Sequence, residues 1–262
     1  MEFIPGNRFQ GLIDILRKNI AVSRRQAFQV GALFGLSLSS LMPFQPRKAF
    51  AMGKKSHERG GEIMDLPEPV FDGGMSLEQA VRQRRTVRSF RDNPITKEQF
   101  SQLLWAAQGI TEERGFKRAA PSGGALYPAD VYAVIGENGV KGFGAGVYLY
   151  EPKNHLVRKI ADGDKRRDVA MASLRQMWMA GAAVQLVVTA EYGRITIKYG
   201  DRGIRYALIE IGHIGQNIFL QCQALGLAAG IVGAFSDDEV AKVIKAEKDH
   251  QPLIIFPVGW QG

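Results

Sequence analysis

The sequence predicts an α+β fold with a mixed, mainly antiparallel sheet flanked by helices. Three observations predict it. Strand-like runs at 131–135, 147–151, 155–160, 184–192 and 253–258 outnumber the helical stretches between them. Two of these runs, joined only by Pro152, Lys153 and Asn154, are spaced as an antiparallel hairpin. Strands and helices also fail to alternate as a doubly wound sheet requires.

The helices follow from caps and spacing. Ser76 is placed to cap a helix over 77–84, and Thr96 with Gln99 forms a capping-box pattern. Phe100, Leu103, Leu104 and Ala107 then recur at helical spacing through 109. A long helix is predicted over 203–225 and a shorter one after Ser236. The run 226–235 is rich in small residues, and periodicity leaves it open as a buried strand or a loop over a ring system.

Composition narrows the class. The chain has 262 residues, 45% hydrophobic and 23% charged, enough apolar content for a sizeable core. Its net charge of +8 is concentrated at the start, where residues 1–51 carry +5 and the remainder +3. No interleaving of basic and aromatic residues suggests a nucleic-acid surface, so no nucleic-acid partner is expected. Cys222 lies in an apolar helical stretch and reads as a buried structural thiol. The scattered histidines offer no metal site, and His213, between Gly212 and Gly215, fits close helix packing better than ligation.

Residues 1–51 have the order of a signal peptide. Arg24 and Arg25 precede a modest apolar run to Leu41, followed by Pro43, Pro46 and the small-residue pattern Ala49-Phe50-Ala51. The run is too short for a typical spanning helix. Paired arginines resemble the twin-arginine type, which implies the twin-arginine export machinery as a partner and a periplasmic destination. The alternative is an uncleaved basic segment that keeps the protein at a membrane surface. Residues 52–75 read as a linker or extended arm, and 76–262 as one domain.

Three constellations carry candidate chemistry. In an extended chain Arg84, Thr86 and Arg88 point to one side, with Arg85 between them, and such a row suits an elongated anion. A solvated basic face is the alternative. Pro121, Ser122 and Gly123 open a small-residue loop running to Pro128, where backbone can approach a planar ligand. That loop could equally be a surface turn, although Leu126 and Tyr127 would then be left exposed. Gly230, Ile231 and Gly233 form the third group.

Together with Gly146-Val147-Tyr148-Leu149-Tyr150, Lys198-Tyr199-Gly200-Asp201-Arg202 and Glu210-Ile211-Gly212-His213, these motifs resemble the nitroreductase superfamily. The likeness extends from about Leu77 to Trp260 and is strongest to the SagB-type branch containing azoline oxidases. It implies an intertwined homodimer with FMN contacted by both subunits. Arg84 and Thr86 would meet the phosphate and ribityl region, with Arg88 near the pyrimidine edge. Pro121, Ser122 and Gly123 would come from the other subunit, while Gly230, Ile231 and Gly233 would border the ring and offer backbone donors. Lys198 and Tyr199 match residues thought to move a proton in azoline oxidation, although a solvated lysine beside a packing tyrosine remains open. The implied activity is ping-pong hydride transfer between a donor such as NAD(P)H and a small substrate: a quinone, a nitro compound or an azoline. The alternative is a flavin- or ligand-binding protein without turnover.

Overall fold

The structure, a computed structural model, describes residues 61–112 and 115–262. The export segment expected at 1–51 lies outside the described residues, as do residues 52–60 of the arm.

The elements in chain order are β1 (Ile63–Asp65), α1 (Leu77–Gln83), β2 (Phe90–Arg91), α2 (Lys97–Gln108), β3 (Ala129–Ile135), β4 (Gly146–Glu151) and β5 (Leu156–Asp162). They continue as α3 (Arg166–Ala172), β6 (Val184–Glu191), α4 (Gly193–Tyr199), α5 (Arg202–Ala224), β7 (Ala228–Ala229), α6 (Asp237–Val243) and β8 (His250–Gln261). Short 3₁₀ turns occupy Gly123–Ala125 and Met177–Gly181. The sheet order is β1-β5-β4-β3-β6-β8-β2, with β7 beside β8. Every pair of these strands is antiparallel, so the parallel component of the expected mixed sheet shrinks to two isolated bridges, Thr86 to Ala229 and Ile95 to Val140. The β4–β5 hairpin pairs as its short connection requires.

Caps explain where the early helices start. The Ser76 hydroxyl accepts the Gln79 N–H at 3.2 Å, and Thr96 and Gln99 form the reciprocal capping box. The sheet is covered on both faces, and alternation along β3 shows it: Val131, Ala133 and Ile135 enter a core with α2 and α5, whereas Tyr132 and Val134 enter a second core with α3 and α6. Burial on both faces also accounts for the mainly apolar composition of β6, which is buried from Val184 to Ala190.

Differences from the expected elements have local causes. β8 is longer than 253–258 because it accommodates Pro252 and Pro257, with a bulge between Val188 and Thr189 on its neighbour. The helices α3 and α4 span 7 residues each, too few for a periodic signal. Part of the arm adds an edge strand, β1, to β5. The small-residue run is strand-like over much of its length: Ala228–Ala229 pairs with β8, and pairing continues past Gly230 to a bridge between Val232 and Ile255. Among the described residues, no helix is long and apolar enough to cross a membrane.

Candidate active site

The arginine row begins where α1 ends. Arg84 leaves the helix with φ −48° and ψ 122°, and the extended chain beyond it runs beside β7, with the Val87 N–H donating to the Ala229 carbonyl at 2.9 Å. The Arg84 guanidinium lies 5.2 Å from the centre of the Phe219 ring, and that of Arg88 lies 5.9 Å from Trp178. Arg85, on the other side of the row, turns back to donate to the Arg82 and Arg84 carbonyls at 2.8 Å. None of Arg84, Arg85 and Arg88 forms a salt bridge with a described residue. Cations without a carboxylate partner among the described residues favour an anion.

Gly230 sits against this row. A side chain there would come within 2.7 Å of the Trp178 ring and 2.8 Å of the Val87 carbonyl. Its N–H, however, donates to the Pro257 carbonyl at 2.8 Å, so it is not available to a ring as the sequence reading expected. The neighbouring Val232 N–H is likewise taken, by Ile255 at 2.9 Å. Ile231 and Gly233 are exposed, and their N–H groups make no hydrogen bond within the described residues. The donors of this segment are therefore those two.

The loop opening at Pro121 is held by Ser122, whose hydroxyl accepts the Tyr127 N–H at 3.0 Å. Gly124 has φ +64°, the left-handed region open to glycine, and its Cα faces Lys198 and Tyr199. A Cβ there would fall 2.6 Å from the Tyr199 hydroxyl and 3.0 Å from the Lys198 ammonium. Gly123 packs against Tyr206 and Ile195. Tyr199 is braced by the edge-on ring of Tyr206 at 5.1 Å, and the exposed Lys198 lies 5.2 Å from the Tyr199 ring. Leu126 and Tyr127 need no outside partner, contrary to the sequence argument. Both are half-buried, and Tyr127 is capped by Arg118 at 4.2 Å and donates its hydroxyl to the Phe116 carbonyl.

The structure thus brings Arg84, Thr86 and Arg88 together with Gly230, and Pro121, Ser122 and Gly123 together with Lys198 and Tyr199. It does not bring the two groups together within one chain. Phe219 supports the first and Tyr206 the second, thirteen residues apart on α5, which is about 20 Å at the rise of an α-helix. Between them α5 exposes Leu208 and Ile209, then Gly212 and His213, and Ile204 is exposed just before Tyr206. Cys222 is fully buried, its thiol pushed strongly up by desolvation, as a structural cysteine should be.

Sequence reasoning missed Trp178, Phe219 and Glu210. Glu210 did leave a trace: it lies on the same face of α5 as Ala207, Ile211 and Ile214, a carboxylate in an apolar stripe. Its carboxyl, 1% exposed, is held above the ordinary glutamate range by burial, against the weaker opposing pull of Ser122, Gln108, Arg118 and the Ala129 N–H.

Comparison with known proteins places the chain in a family. The chain is 40% identical over 199 residues to a protein of Methanocaldococcus jannaschii described as a nitroreductase, covering 76% of this chain and 98% of that one. It is 27% identical over 169 residues to the microcin B17-processing protein McbC of Escherichia coli, covering 62% of this chain and 61% of McbC. A nitroreductase crystal structure from Ralstonia eutropha superposes with a TM-score of 0.65 at 25% identity, over 76% of this chain and 90% of that one. The model of the nitroreductase family matches residues 81–260, and the chain belongs to that family of oxidoreductases.

Proposed function

We propose that the protein is an FMN-dependent oxidoreductase whose site is completed by a second copy of the chain. The carrying observation is the separation along α5: at one end an arginine row without carboxylate partners among the described residues, and at the other a small-residue turn facing Lys198 and Tyr199. The exposed Ile204, Leu208 and Ile209 offer the apolar face on which a second copy would pack, so that each site takes its arginines from one subunit and its Pro121–Gly123 turn from the other.

The residues fit the cofactor. Arg84 and Thr86 would hold the phosphate, by guanidinium fork and hydroxyl, and Arg88 would stand by the pyrimidine edge, where a cation favours the negative charge that reduction brings. Ile231 and Gly233 supply free backbone donors to the ring. FMN, when bound, supplies hydride acceptance and donation at N5. The proposed cycle is ping-pong, with NAD(P)H or another donor leaving before a quinone or nitro compound enters. The motif resemblance to the azoline-oxidase branch adds the reverse direction, dehydrogenation of an azoline-like substrate, in which Lys198 and Tyr199 would hold or move the substrate proton.

The test is an absorbance spectrum of the purified protein followed by anaerobic addition of NADH or NADPH. A yellow protein that bleaches supports the enzyme; yellow without bleaching by any donor supports a binding protein. A colourless preparation unable to take up FMN overturns the reading.

The paired Arg24 and Arg25 support a further proposal, export by the twin-arginine route to the periplasm. Replacing both by Lys is expected to leave uncleaved, folded protein in the cytoplasm. Fractionation with immunoblotting checks this, and normal periplasmic recovery of the double variant would rule the route out.

A further inference from the structure

Beneath the turn at residues 121–128 lies a closed ring of side chains that the proposed chemistry does not use. Glu210 Oε1 accepts from the Gln108 side-chain amide at 3.1 Å, and the Gln108 oxygen accepts from Arg118 at 3.1 Å. Arg118 stacks on Tyr127 at 4.2 Å, and the Tyr127 N–H donates to the Ser122 hydroxyl at 3.0 Å. Ser122 faces Glu210 again and closes the ring. Although Ser122 and the Ala129 N–H lie close enough to draw the carboxyl's pKa down, neither completes a well-formed hydrogen bond to Oε2, which is buried without a partner in the chain.

The members of this ring come from α2, α5, the segment before β3 and the turn itself, so Glu210 is the point through which the helices fix the turn. We propose that Glu210 is a positioning residue: it holds the Ser122–Tyr127 turn in the geometry that sets Gly124 against Lys198 and Tyr199. It touches none of the reacting groups of the proposed site and acts through Ser122, Gln108 and Arg118. The placement of the turn is a property of the chain itself; only its use in catalysis rests on the flavin reading.

The position has a pH consequence. Among the described residues, the charged group acting on Glu210 is Arg118, which is itself drawn toward Asp130 on β3 and repelled by Arg194 on α4. Arg118 reaches Glu210 only through Gln108, so an ionised carboxylate is poorly compensated. A carboxyl raised by burial contributes stability that is complete below its ordinary value of 4.5 and is lost as pH rises through the folded-state value. The turn should therefore loosen as Glu210 ionises.

Hydrogen–deuterium exchange of residues 121–128 in the full chain tests this, with β6 as internal reference and measurements at about pH 5 and about pH 9. In the wild type the turn should exchange roughly tenfold faster, relative to β6, at the higher pH after correction for intrinsic rates. Glu210→Gln, neutral at both values and able to accept from Gln108 while donating to Ser122, should remain protected at both. Glu210→Ala should be fast at both. The proposal is overturned if wild type and Glu210→Gln respond alike to pH, or if the loosening in Glu210→Ala spreads evenly to β6. Because exchange is read without a donor or substrate, a positive result with no flavin bound would count against the proposed function and leave this inference standing.

Discussion

Replacing Arg84 and Arg88 together by Ala is expected to strip the protein of FMN while leaving its fold intact. Hydrogen bonds to charged groups contribute about 1.5–3 kcal/mol each, so each guanidinium removed should weaken flavin binding roughly 10- to 100-fold. Neither arginine is tied to a carboxylate among the described residues, and Arg88 is exposed, so the change in stability should stay within roughly 1 kcal/mol. The flavin-to-protein ratio after gel filtration and a fluorescence titration with FMN measure the first effect, and thermal unfolding of the apoprotein measures the second. The single variants should differ in kind. Arg84→Ala removes the phosphate ligand and should act on affinity. Arg88→Ala, beside Trp178, should also lower the flavin reduction potential, because it takes away the cation that favours the reduced, anionic ring. Arg→Lys at either site keeps the charge but loses the planar fork lying on Phe219 or Trp178, and should recover only part of the loss. Flavin content equal to wild type in the double variant would remove the arginine row from the site.

How much of this was legible in the sequence depended on whether a residue's role was local. Ser76 and the Thr96–Gln99 box act within one helical turn, and both could be read directly. The β4–β5 hairpin was signalled by the short connection after Glu151, which the structure gives as residues 152–155, and a continuous apolar run announced β3. The extended course of Arg84, Thr86 and Arg88 was also visible, because leaving a helix fixes which side alternate residues face. What could not be read depended on partners distant in sequence. That Gly230 gives its N–H to Pro257 is decided by how β7 meets β8, and nothing local in 226–235 records it. Tyr127 looked like an exposed aromatic because Arg118 stacks on it only after the chain has turned between them. The aromatic supports Phe219 and Trp178 come from α5 and from a 3₁₀ turn, and reach the arginines through tertiary packing alone. The two-ended layout of the site was likewise invisible, since it is measured along a helix whose contacts at each end have to be known first.

Lys198 and Tyr199 should separate the two directions of the proposed chemistry. Both converge on Gly124, the glycine whose missing side chain leaves room for their polar ends, and neither lies near the arginine row of its own chain. Tyr199→Phe keeps the ring against Tyr206 and removes only the hydroxyl; Lys198→Met keeps most of the stem and removes only the amine. Flavin content should therefore be unchanged in both. Where a substrate proton must be moved, as in dehydrogenation of an azoline, kcat should fall roughly 10²- to 10⁴-fold, the range for loss of a positioned acid or base. Single-turnover reduction of bound flavin by NADH or NADPH requires no such proton and should change by less than about threefold. Lys198→Arg is the decisive control. A guanidinium retains the positive charge but does not deprotonate in a protein, so it should rescue a purely electrostatic role and fail to rescue proton transfer. Equal loss in both half-reactions would make the pair part of the binding surface. Loss confined to the oxidising direction, unrescued by Arg, would mean that the narrow approach over Gly124 places a proton-transfer group against the substrate, and that the left-handed backbone at Ala125 and Tyr127, φ +54° and +47°, is kept for that purpose.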